Sequence, residues 1–122
     1  MQRKVLCKTL GGVDCELVTV GPKVQKNDKR RCVVLTARVH PGETVGSWMM
    51  RGVLMFLTDP ENEEACMLRE NFVFKIIPML NPDGVINGNY RCSLAGCDLN
   101  RRWKNPNQIL HPTIYKAKEL VM

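Results

Sequence analysis

Two apolar runs separated by an amphipathic segment place the strongest constraint on the fold of this 122-residue chain. Residues 32–35 and 72–80 are apolar without strict alternation, which is typical of strands covered on both faces. Residues 45–57 carry apolar side chains at helical spacing, and a short polar helix is predicted at about 62–70. A strand–helix–strand order predicts a crossover connection, so the two strands should be parallel.

A β-hairpin is predicted ahead of this unit. Residues 3–10 and 13–20 alternate in polarity and are separated by Gly11-Gly12, and glycine reaches positive φ without steric cost. Residues 87–105 are polar and irregular, and a final helix is predicted to begin near Pro112. We therefore expect an α/β fold with a mixed β-sheet and helices on both faces.

The turn after the first apolar run contains His40-Pro41-Gly42-Glu43. A histidine and a glutamate three residues apart at the exit of a strand can place a nitrogen and an oxygen on one metal ion. Zinc accepts both ligand types, and a catalytic zinc takes three protein ligands and a water. Taken alone, the motif favours a loop histidine beside a solvated glutamate. Its position at the carboxyl end of a parallel strand, next to the turn that begins at Asn81, favours the zinc site.

Charge and cysteine content narrow the class of protein. The net charge of +6 arises largely from residues 23–31, interpreted as a solvated loop, and from residues 91–104. These stretches contain one aromatic residue, Trp103, and no known nucleic-acid motif, so an acidic peptide partner is favoured over nucleic acid. The six cysteines form no Cys-x-x-Cys pair, which predicts free, buried thiols. Without a membrane-spanning run or a signal-peptide core, the chain is predicted to be soluble and cytoplasmic, with no membrane partner.

Four motifs in order resemble the zinc carboxypeptidases of the carboxypeptidase A type, and most of all the cytosolic branch that trims glutamates from tubulin tails. They are His40-Pro41-Gly42-Glu43, Asn81-Pro82-Asp83-Gly84-Val85, Arg91-Cys92-Ser93 and Asp98-Leu99-Asn100-Arg101. The resemblance covers nearly the whole chain and implies a partial peptidase domain over residues 1–122. Within it, the hairpin occupies residues 1–20, and the α/β core with the zinc-ligand and carboxylate-binding loops occupies residues 32–122.

The resemblance implies a role for each site residue. His40 and Glu43 match two zinc ligands, and Arg91 matches the arginine that polarises the scissile carbonyl and stabilises the oxyanion. Asn100 and Arg101 match the pair that binds the terminal carboxylate of the substrate. The implied cofactor is one Zn²⁺ ion, and the implied partners are C-terminal peptide tails, including glutamylated tubulin.

The residues by themselves leave simpler interpretations open. Arg91 is also compatible with a surface arginine, Asn100 with a turn cap, and Arg101 with one member of a basic run. His111 matches a histidine that is not a ligand in the family and is left out of the site. One further set is expected to pack in the core, namely Trp48, Met49, Met50 and Met55.

The third zinc ligand, the general-base glutamate and the specificity pocket of the family have no match in this sequence. We therefore expect the chain alone to bind zinc weakly and to be inactive, as a fragment of a longer peptidase. Three functions stay open at this point. The first is a metallocarboxypeptidase that removes C-terminal residues, glutamates by resemblance. The second is a non-catalytic module that binds carboxylates, and the third, least favoured, is a basic nucleic-acid binder.

Overall fold

The strands of the computed structural model, which describes residues 1–23 and 29–122, form one mixed four-stranded sheet. The strands are β1 (Gln2–Lys8), β2 (Asp14–Val20), β3 (Arg31–Thr36) and β4 (Phe72–Ile77). The helices are α1 (Val45–Thr58), α2 (Glu63–Asn71), α3 (Pro82–Ile86) and α4 (Pro112–Val121), with a 3₁₀ turn at Leu99–Arg101. Most of the predicted loop at 23–31 lies outside the described residues.

The order of the strands in the sheet is β1-β2-β4-β3. β1 and β2 form the predicted antiparallel hairpin, and β2 continues antiparallel onto β4. β3 and β4 are parallel, with Val33 opposite Phe74 and Leu35 opposite Ile76. The crossover predicted from the strand–helix–strand order is therefore confirmed.

Helices cover both faces of the sheet, as predicted. Successive side chains of a strand point to opposite faces, so Ile76 and Ile77 enter two different clusters. Ile77 packs with Ile114 and Ala117 of α4, whereas Ile76 packs with Met50 and Leu57 of α1. Each fully buried Ile or Leu side chain stabilises the fold by about 1.5–3 kcal/mol.

Strand β3 corrects one expectation. Residues 32–35 were expected to be covered on both faces, yet Cys32 is exposed and the next three residues are only half-buried. The reason is position, because β3 lies at the edge of the sheet that the described residues form. The strand expected at 72–80 is also shorter and ends at Ile77, because Pro78 has no amide hydrogen to donate to a neighbouring strand.

Helix α1 corrects a second expectation. Met50 is buried, but Trp48, Met49 and Met55 are 68%, 68% and 62% exposed and do not pack in the core. Apolar residues extend around more than one face of α1, so their spacing predicted the helix but not which face the sheet covers. The cation of Arg51 lies 5.8 Å from the ring centroid of Trp48 on the outer surface.

The cysteines are free thiols, as predicted, but their burial is uneven. Cys15 is buried and Cys32 is exposed, while the other four are partly buried. None of the helices in the described residues is both long and apolar enough to span a lipid bilayer.

Candidate metal centre

Three loops meet at the carboxyl ends of β3 and β4. The amide of Leu80 donates to the carbonyl of Ala37 at 2.9 Å, and the amide of Asn81 donates to the carbonyl of Arg38 at 3.0 Å. The third loop contains Tyr90 and joins the other two where the amide of Gly42 donates to the carbonyl of Tyr90 at 2.8 Å. The predicted approach of the loops that begin at His40 and Asn81 is therefore confirmed.

Glycine at position 42 is required by space. A Cβ atom at this position would lie 2.4 Å from Cδ2 of Tyr90 and 2.8 Å from its carbonyl oxygen. The absence of a side chain lets the segment before Arg91 rest directly on the turn between His40 and Glu43. The local sequence thus fixes the distance between the predicted metal ligands and the predicted catalytic arginine.

His40 and Glu43 face each other across this turn. Nδ1 of His40 lies 3.0 Å from Oε1 of Glu43, and the histidine is buried while the glutamate side chain is 60% exposed. Two ligands of a tetrahedral zinc ion lie about 3.3–3.6 Å apart, given metal–ligand bonds of about 2.0–2.2 Å, so the two side chains would separate by a few tenths of an ångström around the ion. The spacing and chemistry of the two side chains therefore fit a zinc ion.

Asp98 determines which nitrogen of His40 is available to a metal. Its Oδ1 lies 2.9 Å from Nε2 of His40, and a carboxylate can only accept, so Nε2 carries the hydrogen. In the neutral imidazole Nδ1 is then unprotonated and faces an acceptor oxygen of Glu43, whereas an imidazolium would donate to both carboxylates. A carboxylate bound to the far nitrogen of a histidine is the arrangement that orients metal-ligating histidines.

Asp98 also connects the other site residues. Its Oδ2 accepts from Nε and Nη2 of Arg91 at 3.0 and 2.9 Å, and its Oδ1 accepts from the amide of Asn100 at 2.8 Å. Burial would raise the pKa of Asp98, but the hydrogen bonds from His40, Asn100 and Arg91 outweigh it and lower the pKa to about 2. The carboxylate is therefore charged at neutral pH and can hold a cationic arginine.

Asp98 has no predicted role, although it opens one of the four sequence motifs. Its role depends on His40, which lies 58 residues earlier in the chain. The only local signal is an aspartate placed to cap the 3₁₀ turn at Leu99–Arg101, and a capping residue is common at such positions.

Asn100 and Arg101 lie on the 3₁₀ turn, and both are exposed. The alternative that Asn100 caps this turn is wrong, because Asp98 is the capping side chain. The side-chain oxygen of Asn100 instead accepts from the indole nitrogen of Trp103 at 3.0 Å. Arg91 is about half exposed and ion-paired, so it is an anchored arginine at the surface of the site.

Within residues 1–23 and 29–122, no group of three or more His, Cys, Asp and Glu side chains is arranged to hold a metal ion. His111 does not extend the pair, because its Nδ1 accepts a hydrogen bond from the amide of Asn107 at 3.0 Å. The prediction that His111 is not part of the site is consistent with this local role.

A pH dependence of stability follows from His111. Burial, and then the charge of Arg102, lower the pKa of His111 below its usual value of 6.5. The unfolded chain therefore takes up this proton first, so the free energy of unfolding should fall as the pH drops below about 6.5. The change His111→Asn keeps an acceptor for the amide of Asn107 and removes the titration. Urea unfolding between about pH 5 and 7 should show a shallower pH slope for this variant. An unchanged slope would contradict the assignment.

The sequence profile of the zinc carboxypeptidase family matches residues 1–117. The chain belongs to the zinc carboxypeptidase family. The similar relatives are cytosolic carboxypeptidases, as the sequence motifs predicted. Cytosolic carboxypeptidase 1 of Gallus gallus is 54% identical over 128 positions, which cover 98% of this chain and 10% of the relative. Cytosolic carboxypeptidase 4 of Homo sapiens is 55% identical, and the match covers 98% of this chain and 11% of that relative.

Solved structures of zinc carboxypeptidases share the fold. A metallo-carboxypeptidase from Burkholderia cenocepacia superposes with a TM-score of 0.92 at 29% identity, covering 98% of this chain and 32% of that one. A metallo-carboxypeptidase from Pseudomonas aeruginosa, solved in complex with (2-guanidinoethylmercapto)succinic acid, gives a TM-score of 0.85 at 30% identity and the same coverage. The chain thus spans about a tenth of the curated relatives and a third of these structures.

For a zinc carboxypeptidase, the contacts of Asp98 predict a large effect of the change Asp98→Asn. An asparagine can donate to Nε2 of His40 and so permit the wrong tautomer, and it lacks the charge that holds Arg91. Loss of such an outer carboxylate lowers metal affinity by roughly 10- to 100-fold. Zinc titration against a fluorescent chelator should show this loss, with Asp59→Asn, an exposed change away from the site, as the control. Equal affinities of the two variants would contradict the role of Asp98.

Proposed function

We propose that this chain forms part of the centre of a zinc metallocarboxypeptidase, with His40 and Glu43 as two of the zinc ligands. The observation that carries the proposal is the 3.0 Å contact between Nδ1 of His40 and Oε1 of Glu43. In the neutral imidazole Nε2–H is directed to Asp98, so Nδ1 of His40 and Oε1 of Glu43 are both acceptors and repel unless a cation or a proton lies between them. A zinc ion satisfies both atoms.

The residues of this chain would prepare a peptide bond for hydrolysis. Bound zinc supplies an activated water and polarises the substrate carbonyl. Arg91 is held by Asp98 through Nε and Nη2, which leaves Nη1 for the carbonyl oxygen of the scissile bond. A fixed guanidinium at this position stabilises the oxyanion as its charge develops. The third zinc ligand and the general base would come from residues other than those in this chain.

The substrates we propose are acidic C-terminal tails in the cytoplasm, with glutamate as the residue removed and glutamylated tubulin as one candidate. Asn100 and Arg101 would bind the terminal carboxylate, for which the planar guanidinium offers two parallel hydrogen bonds. Exposed basic side chains surround them and would attract an acidic tail, namely Arg91, Arg102 and Lys104. The similarity to proteins named cytosolic carboxypeptidases supports the proposed location.

The carboxylate-binding role predicts a specific effect of the change Arg101→Ala. Loss of a charge-assisted bidentate contact costs about 1.5–3 kcal/mol, so affinity for a glutamate-ending peptide should fall by roughly 10- to 100-fold. Calorimetry with the same peptide in free-acid and amidated forms measures the effect of the carboxylate alone. Arg102→Ala is the matched control, because it removes an exposed arginine of the same turn. Equal losses in both variants, or equal binding of both peptides, would show general charge attraction instead.

A second candidate is a non-catalytic module that binds carboxylates. It is favoured by the absence of a three-ligand metal cluster among the described residues, together with the exposed Asn100 and Arg101. The two candidates differ in their need for zinc. Peptide binding that is unchanged by zinc, without hydrolysis in any longer form of the protein, would favour the module. Zinc-dependent release of glutamate by such a form would favour the enzyme.

A further inference from the structure

Arg38 has an unusual backbone conformation at the edge of the candidate centre. Its φ angle is 54°, and among residues 1–23 and 29–122 it is the one non-glycine residue with positive φ. A bulky residue in this region is a true outlier, since the Cβ atom approaches the following carbonyl oxygen. Such strain persists only where the surrounding contacts impose it.

The side chain of Arg38 turns back onto the loop that follows it. Nε donates to the carbonyl of Pro41 at 3.1 Å, Nη2 donates to the same carbonyl at 2.5 Å, and Nη1 donates to the hydroxyl of Ser47 at 2.6 Å. The residue is buried, and the oxygens that it contacts are neutral. A buried cation therefore supports one carbonyl group through two N–H donors.

This carbonyl lies between the two candidate ligands in sequence. Pro41 directly follows His40 and precedes Glu43 by two residues, and Ser47 lies in the first turn of α1. The guanidinium thus ties the ligand-bearing turn to the helix that follows it. The backbone of Arg38 is fixed at the same time, because its carbonyl accepts from the amide of Asn81 at 3.0 Å.

We infer that Arg38 is a positioning residue that holds the 38–43 loop in the conformation presenting His40 and Glu43 to one metal ion. The inference rests on the proposed function for its metal, but the loop conformation can be measured without one. The left-handed backbone directs the side chain into its own loop, and the fork of two N–H groups on one carbonyl is a contact that lysine cannot reproduce. A general stabilising arginine would instead affect all parts of the chain equally.

The test compares Arg38→Ala, Arg38→Lys and Arg38→Gly with the wild-type chain. Amide hydrogen exchange is measured by NMR in metal-free protein, and zinc affinity is measured by chelator competition. Arg51→Ala is the matched control, since Arg51 is exposed on α1 and contacts the ring of Trp48. The glycine variant separates two causes, because it removes the same hydrogen bonds as alanine and also relieves the backbone strain.

All three Arg38 variants should exchange the amides of Gly42 and Glu43 about 10-fold faster, with the β1–β2 hairpin unchanged. Zinc affinity should fall by roughly 10-fold, as for other residues that orient ligands. Wild-type exchange and affinity in Arg38→Gly, or faster exchange throughout the chain, would overturn the inference. If a longer form of the protein that supplies the third ligand binds no zinc, the proposed function fails, and the exchange rates of the metal-free chain still decide the role of Arg38.

Discussion

Zinc affinity should fall by more than roughly 100-fold when Glu43 is changed to Gln, because changes to outer residues already cost roughly 10- to 100-fold. The change keeps the size of the side chain but removes the charge that balances the metal. Glutamine also offers an N–H₂ group that can donate to Nδ1 of His40, which would occupy the nitrogen a metal needs. Both effects disfavour the metal-bound state, so this substitution should have the largest effect on binding.

The measurement is a competition titration of Zn²⁺ between the chain and a chelator of known affinity. Glu61→Gln is the control, because it makes the same chemical change at an exposed position before α2. The control should bind zinc as the wild-type chain does. If Glu43→Gln and Glu61→Gln retain equal affinity, the ion is bound elsewhere, and the six free thiols would be the next ligands to test.

Gly84→Ala should destabilise the chain by about 1–3 kcal/mol, the usual cost of inserting a methyl group into a packed site. A Cβ atom at this position would lie 2.4 Å from Cγ of Pro41 and 2.9 Å from the side-chain amide of Asn81. Asn81 is buried, and its side-chain oxygen accepts a hydrogen bond from the amide of Gly84, so the side chain has little room to move. The added methyl group should therefore displace Pro41 and the ligands beside it, which would also weaken zinc binding.

Gly52→Ala is the matched control for this change. The position lies in α1, and a Cβ atom there would meet nothing within 4 Å. Alanine in place of glycine within a helix should stabilise the chain by about 0.5–1 kcal/mol. Urea unfolding followed by circular dichroism measures both variants. A destabilisation of similar size in both would show that the contact between Gly84 and Pro41 is not the cause.

Much of the fold could be predicted from the sequence because its signals are local. The hairpin around Gly11-Gly12, the helix after Glu43 and the final helix at Pro112 all lie within two residues of their predicted bounds. The parallel pairing of β3 with β4 followed from chain order and from the handedness of crossovers. The closeness of the His40 and Asn81 loops followed in turn from that pairing.

The remaining features depend on contacts between distant parts of the chain. The position of β3 at the sheet edge and the exposure of Trp48 and Met49 depend on which elements pack against them, and local pattern does not encode this. The role of Asp98 depends on a histidine 58 residues away. The left-handed conformation of Arg38 was not predictable, since arginine has no preference for positive φ.

The most direct test of the zinc centre is a crystal structure of the chain grown with Zn²⁺, with diffraction recorded on both sides of the zinc absorption edge. We expect an anomalous peak about 2.0–2.2 Å from both Nδ1 of His40 and the carboxylate of Glu43, and Nε2 of His40 still bound to Asp98. A peak on cysteine sulfurs, or none at this turn at a Zn²⁺ concentration high enough to fill a weak site, would contradict the assignment of His40 and Glu43 as metal ligands.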